Sequence, residues 1–175
     1  MPKKVIFIIP SKGFRDEEYF IPKEILAQKG LGIETASDKK GIARGIDGGE
    51  VSIKIDVKDV REKNFDALVF VGGPDCLDCL DNENSYNLLR EAHSKGKIIG
   101  AICISSVILA RSGILKNKKA TVWSSNLNRE PVKTIKKEGV IFTDKSVVVD
   151  GGIITADGPD AAREFAETLA GFLKT

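Results

Sequence analysis

Cys103 is the residue whose neighbours best suit it for covalent chemistry. It follows the run Lys97-Ile98-Ile99-Gly100-Ala101-Ile102 and precedes Ile104-Ser105-Ser106, after which Val107-Ile108-Leu109-Ala110 reads as a helix. A short buried strand feeding directly into a helix forces a sharp turn, and the residue at the turn projects from the strand end. The helix N-terminus offers partial positive charge and free N–H groups, which favour a thiolate over a thiol. Cys103 is therefore a candidate nucleophile; the alternative is a small buried hydrophobe, a common fate of free cysteine. A thiol attacking a carbonyl also needs N–H donors for the developing oxyanion and a group that carries a proton. The backbone N–H groups of Gly73 and Ile104 meet the first need, since both lie where a strand gives way to a turn. Glu17 and Glu18, at the start of a predicted helix, meet the second. A protonated carboxyl that donates to sulfur stabilises the thiolate, whereas an ionised one opposes it, so the partner needs a pKa raised by burial near an anion. Glu17 reads as a solvated surface carboxylate, which leaves Glu18.

The fold must carry these groups to one place. Val5-Ile6-Phe7-Ile8-Ile9 is a continuous apolar run bounded by Pro10 and Gly13, the pattern of a fully buried strand. A helix is predicted from about Asp16 to Lys29, closed by Gly30, with Pro22 expected to bend or interrupt its first turns. Ile33 to Ser37 is a second strand, which makes a strand–helix–strand unit of a parallel sheet. Gly41 to Gly49 and the alternating Val51 to Ile55 read as a β-ribbon; the glycines there are turn residues and no phosphate loop, since no lysine follows in the required place. Phe65 to Val71 is a third parallel strand ended by Gly72-Gly73-Pro74, and a helix is predicted from Glu83 to Lys95. The helix after Cys103 stops near Gly113, and short strands follow at Ala120–Trp123, Val140–Phe142, Val147–Asp150 and Ile153–Thr155. Asp150-Gly151-Gly152 makes a hairpin turn, and an amphipathic helix from Asp160 to Leu173 closes the chain. One doubly wound α/β domain accounts for all of this, and ligands of such sheets gather outside the carboxyl ends of the strands. Ser11 to Glu18, Gly72-Gly73-Pro74 and Ile102-Cys103-Ile104 all arrive there.

At 175 residues the chain has room for one domain with a substantial core, and 42% hydrophobic with 30% charged residues is ordinary globular composition. A net charge of +2 argues against nucleic acid or membrane as partner. No apolar run approaches the ~20 residues of a membrane span and no leader precedes the first strand, so a cytoplasmic protein is expected. Three cysteines make no disulfide framework.

Glu18-Tyr19-Phe20-Ile21-Pro22, Gly72-Gly73, Ala101-Ile102-Cys103 and Gly158-Pro159, in that order, resemble the ThiJ/PfpI superfamily, also called the DJ-one superfamily, from Val5 to about Leu173. The resemblance implies a flavodoxin-like three-layer α/β/α sandwich of the class I glutamine amidotransferase type, with a mainly parallel central sheet and a cysteine nucleophile elbow. It implies Cys103 as the reactive thiol, Glu18 as its protonated partner, and Gly73 and Ile104 as oxyanion donors, with Gly72 beside them. Family members are commonly dimers or larger rings, so a homo-oligomer (dimer or hexamer) is implied, and Glu83 matches a glutamate that one branch presents at a subunit interface.

The departures from the family pattern choose among its activities. Ile104 stands where protease-like and many hydrolase members have histidine, and Ser105-Ser106 stands in place of Gly-Pro. Trp123 occupies the position from which another branch brings a histidine, and Asp157 replaces an arginine before Gly158-Pro159; both are expected near the pocket mouth. The single histidine, His93, falls late in its predicted helix and reads as a surface or capping residue. Amide hydrolysis needs a proton delivered to a poor leaving group, usually by histidine, so a PfpI-type peptidase is disfavoured. Cofactor-free addition to a small reactive aldehyde such as methylglyoxal, or to a glycated substrate, needs only the thiolate and a carboxyl proton shuttle. This is the glyoxalase or deglycase activity the resemblance implies. Two non-enzymatic readings stand beside it. One is a redox sensor or chaperone-like protein, with Cys76 of Cys76-Leu77-Asp78-Cys79 as a resolving thiol; that motif is expected in a loop and lacks the further ligands of a zinc site. The other is a degenerate binding or oligomeric scaffold.

Overall fold

The computed structural model describes residues 1–174. In chain order the elements are β1 (Lys4–Ile9), β2 (Lys12–Phe14), α1 (Asp16–Gln28), β3 (Gly32–Ser37), β4 (Gly41–Gly45), β5 (Glu50–Ile53), β6 (Ile55–Asp56) and β7 (Ala67–Phe70). There follow α2 (Cys76–Leu80), α3 (Glu83–Ser94), β8 (Ile98–Ile102), α4 (Ser106–Ser112), β9 (Lys119–Ala120), α5 (Glu130–Lys137), β10 (Ile141–Phe142), β11 (Val147–Asp150), β12 (Ile153–Ala156) and α6 (Ala162–Leu173). The main sheet runs β11-β12-β8-β7-β1-β3-β6. Its pairs are parallel except β11–β12, the hairpin expected around Gly151.

Strand β1 shows why the sequence gives three layers. Side chains of a strand alternate between faces, and a continuous apolar run therefore needs a cover on both. Val5, Phe7 and Ile9 enter the core under α1 and α6, beside Tyr19, Leu26 and Phe165. Ile6 and Ile8 enter the opposite core under α2 to α5, beside Leu89, Val107 and Ile135. The strand ends that carry the expected site residues lie between these two cores.

Several local expectations fail. Helix α1 runs unbroken through Pro22, which is buried; the ring removes only the N–H that the Glu18 carbonyl would receive. The expected ribbon strand Val51–Ile55 divides: β5 pairs antiparallel with β4, and β6 joins the main sheet beside β3. The strands expected at Ala120–Trp123 and Val140–Phe142 shrink to the two-residue pair β9 and β10. Beyond β9 the chain is tied down by other means, with Thr121 N–H donating to Thr155 Oγ1 at 3.0 Å and Trp123 N–H to the Cys103 carbonyl at 3.3 Å. The Cys-x-x-Cys segment is the short helix α2 and not a loop. Helix α5 has no counterpart in the sequence reading, because eight lysine-rich residues bury only Pro131, Val132 and Ile135 and leave little apolar periodicity to read.

Candidate active site

The site is built at the turn between β8 and α4. Ile102 is extended, at φ −125°, while Cys103 sits at φ +68°. A left-handed conformation costs a non-glycine residue roughly 1–2 kcal/mol, and such strain persists only where the surroundings enforce it. Ser105 is the enforcing residue. Its hydroxyl is fully buried, accepts the Ile102 N–H at 3.1 Å, and reaches the carbonyls of Phe70 at 2.9 Å and Ile102 at 2.8 Å. It thereby fastens the elbow to the neighbouring strand β7. The sequence marks Ser105 only as a departure from Gly-Pro, and its bracing role becomes visible with the strand order.

Glu18, in the first turn of α1, has no exposed surface, whereas Glu17 is exposed. One carboxyl oxygen, Oε2, accepts the Gly72 N–H at 3.0 Å. The other, Oε1, is buried with no hydrogen-bond partner meeting ordinary geometry. Burial raises the Glu18 pKa from 4.5 to about 7, against the lowering effects of the Cys103 thiol, the Gly72 N–H and the Arg15 charge. A proton on Oε1 relieves the orphaned oxygen, because it removes the charge from a desolvated acceptor.

Cys103, only 6% exposed, is pushed in the same direction. Burial raises its pKa first, the Glu18 carboxylate adds to this, and the Ile104 N–H and Arg15 oppose it. The expected depression of the thiol pKa by a helix terminus is thus not found: a 3₁₀ turn, Cys103–Ser105, separates the sulfur from the seven-residue α4. Cys103 and Glu18 are one coupled acid; they hold two protons below about pH 7 and share one above it.

Two glycines make room for this pair. A Cβ on Gly72 would lie 2.8 Å from both Cys103 Cβ and Glu18 Oε2. Gly73, at φ +132°, would place one 2.1 Å from the Gly13 carbonyl oxygen. In front of them opens a cleft of about 400 Å³, lined by Arg15, Gly73, Leu77, Cys103, Ile104 and Trp123 together with the exposed Pro74 and Asp78. A groove of similar volume over Tyr19, Lys23 and Glu50 contains no cysteine, and its one buried titratable group, the Tyr19 hydroxyl, is hydrogen-bonded to Thr35 Oγ1 at 2.8 Å, so the chemistry belongs to the Cys103 cleft.

The remaining expected residues are dispersed. Trp123 borders the Cys103 cleft and also a second one, and Asp157 lines that second cleft with Ser146, Pro159 and Glu164. Burial raises the Asp157 pKa, helped by Asp144, Asp160 and Glu164. Glu83 stands at the exposed start of α3, paired with Arg90 at 3.5 Å, and lines none of these clefts. His93 is exposed near the end of α3. Cys76 is fully buried and donates to the Val71 carbonyl at 3.4 Å. Arg15 is the cleft residue to which the sequence reading assigns no role. A signal was present, since an arginine stands where a helix N-cap ordinarily has Ser, Thr, Asp or Asn.

Comparison with known proteins places this geometry. The family model described as DJ-1/PfpI family matches residues 3–171. An uncharacterized protein of Methanocaldococcus jannaschii, MJ0967, is 41% identical over 163 residues, covering 93% of this chain and 78% of the other. The glutathione-independent glyoxalase DJR-1.2 of Caenorhabditis elegans is 28% identical, with 99% and 92% covered, and the deglycase PfpI of Pyrococcus furiosus 29% identical, with 95% and 99% covered. Among solved structures, a ThiJ/PfpI domain protein from Brachyspira murdochii superposes with a TM-score of 0.92 at 29% identity, over 98% of this chain and 96% of that one.

Proposed function

The chain belongs to the DJ-1/PfpI family, and from that premise we propose that it is a cysteine-dependent, cofactor-free enzyme acting on reactive dicarbonyl compounds, of the glyoxalase or deglycase type. The observation that carries this reading is the buried Cys103–Glu18 pair beside an open cleft, with no histidine in reach. The names borne by the relatives in Caenorhabditis elegans and Pyrococcus furiosus support the same class.

The pair's shared proton supplies the chemistry. The Cys103 sulfur adds to the aldehyde carbon of methylglyoxal while its proton passes by way of Glu18 to the carbonyl oxygen, leaving a hemithioacetal. The N–H groups of Ile104 and Gly73, residues of the cleft wall beside Cys103, are the donors assigned to the oxygen that bears charge during this step. Glu18, again a carboxylate, takes the proton from the former aldehyde carbon and returns it to the neighbouring carbon, while the hydroxyl proton on the first carbon's oxygen passes to the ketone oxygen, which gives a thioester of lactate. Water then cleaves the thioester and restores the thiol. One carbon is oxidised and its neighbour reduced, so no external electron carrier enters. A peptidase would have to protonate an amine leaving group, and the only histidine is on the surface of α3.

The test is lactate formation from methylglyoxal by the parent protein, Cys103→Ala and Glu18→Gln. Cys103→Ala is expected to fall to the uncatalysed rate, and Glu18→Gln to lose about 10²–10⁴-fold. Lactate formation by Cys103→Ala at the parental rate would remove the proposal.

A further inference from the structure

Arg15 lines the cleft beside Cys103, and its Nε is buried without an acceptor. Among the described residues the guanidinium makes no ion pair. Stability does not account for this placement. Arg15 is the N-cap of α1 but contributes no side-chain capping bond, and a cation at a helix N-terminus opposes the helix dipole. Its main chain, by contrast, is firmly held: Arg15 N–H donates to the Gly72 carbonyl at 3.0 Å, in the loop that also receives Glu18. Its charge is felt by both Cys103 and Glu18. A cation that lines a cleft with no ion-pair partner and one donor buried unpaired is half of an ion pair.

We propose that Arg15 is the anion-recognition residue of this cleft, selecting carbonyl compounds that carry a carboxylate close to the carbonyl that Cys103 attacks. The inference deepens the reading of Cys103 as a nucleophile and names its substrate class as anionic. A neutral dicarbonyl leaves the guanidinium without a counter-charge in the complex, whereas a carboxylate pairs with it through charge-assisted hydrogen bonds. Asp78, an exposed carboxylate lining the same cleft, opposes negative charge there, which favours a monoanion over a phosphate dianion. The remaining walls, Leu77, Ile104 and Trp123, suit a short apolar body behind the charged end.

The experiment uses two alkylating reagents that differ in charge and need no turnover. Iodoacetate and iodoacetamide each react at Cys103 by forming an S–C bond as iodide leaves, and peptide mass spectrometry reads the rate at Cys103 separately from Cys76 and Cys79. In the parent, iodoacetate is expected to outpace iodoacetamide by about tenfold or more. In Arg15→Gln the ratio is expected to fall to one or below, with Arg15→Lys in between and the iodoacetamide rate showing that each variant keeps its cleft. The ratio cancels any change in thiol ionisation, because both reagents meet the same sulfur. Equal ratios in parent and Arg15→Gln would overturn the inference, as would a Cys103 that neither reagent reaches. A protein that prefers the anionic reagent through Arg15 yet leaves methylglyoxal untouched would sustain this inference while removing the dicarbonyl reading.

Discussion

A carboxyl group with no exposed surface and one unpartnered oxygen is a residue whose charge the protein resists, and this has a measurable sign. The folded-state pKa of Glu18, about 7, lies above its ordinary 4.5. The folded protein therefore binds more protons than the unfolded chain between those values. The stability this group contributes is fully present below pH 4.5 and declines as pH rises through 7. About 3 kcal/mol is the amount involved, at 1.36 kcal/mol per pKa unit. Urea denaturation of parent and Glu18→Gln across pH 4 to 8 is expected to show the parent losing this amount relative to the variant; parallel curves would mean that Glu18 has the same pKa in the folded and unfolded chain. The same proton governs reactivity. Alkylation of Cys103 by iodoacetamide is expected to rise with pH through a midpoint near 7, where the pair gives up its first proton. In Glu18→Gln the midpoint moves above the free-thiol value of ~8.5, since burial still opposes the thiolate and no carboxylate remains to take its proton.

At the level of elements, the elbow is a strained turn held by its neighbours, and removing either support has a distinct outcome. Ser105→Ala leaves the Ile102 N–H without its side-chain acceptor and is expected to cost about 1–3 kcal/mol, read by urea midpoint, with slower alkylation of Cys103. Gly73→Ala drives a Cβ into the Gly13 carbonyl at a positive φ and is expected to cost more than about 3 kcal/mol. How far these supports could be read in advance depends on distance along the chain. The β1–α1–β3 unit, the Gly72-Gly73 strand end and the strand-to-helix turn at Cys103 are written in local patterns of apolar runs and small residues, and the structure contains each. Glu18 beside Cys103 was legible through the ordered motifs. Arg15 and Ser105 were not given roles, because each acts through a partner far off in sequence: Arg15 on the loop at Gly72, and Ser105 on the carbonyl of Phe70. Helix α5 and the reduced β9–β10 pair escaped for the opposite reason, being too short to carry a period.

At the scale of the whole molecule, Cys76 and Cys103 are near enough to feel each other's charge, yet they pack into different cores. Cys103 packs with the core under α1 and α6, and Cys76 with the core under α2 to α5. A disulfide between them would have to displace the fully buried Cys76 sulfur from the Val71 carbonyl. Titration with hydrogen peroxide is accordingly expected to add oxygen atoms to the Cys103 peptide without forming a Cys76–Cys103 bond, read by mass spectrometry. Appearance of that disulfide in the folded protein would restore the sensing role for Cys76. The main-chain link from Trp123 to the carbonyl of Cys103 has a consequence of another kind. This indole is the sole tryptophan of the chain, and it forms a wall of the reactive cleft. The protein's intrinsic tryptophan emission therefore originates at one place, so that spectral shift or quenching follows occupancy of the cleft and the state of its sulfur in real time, with no dye attached.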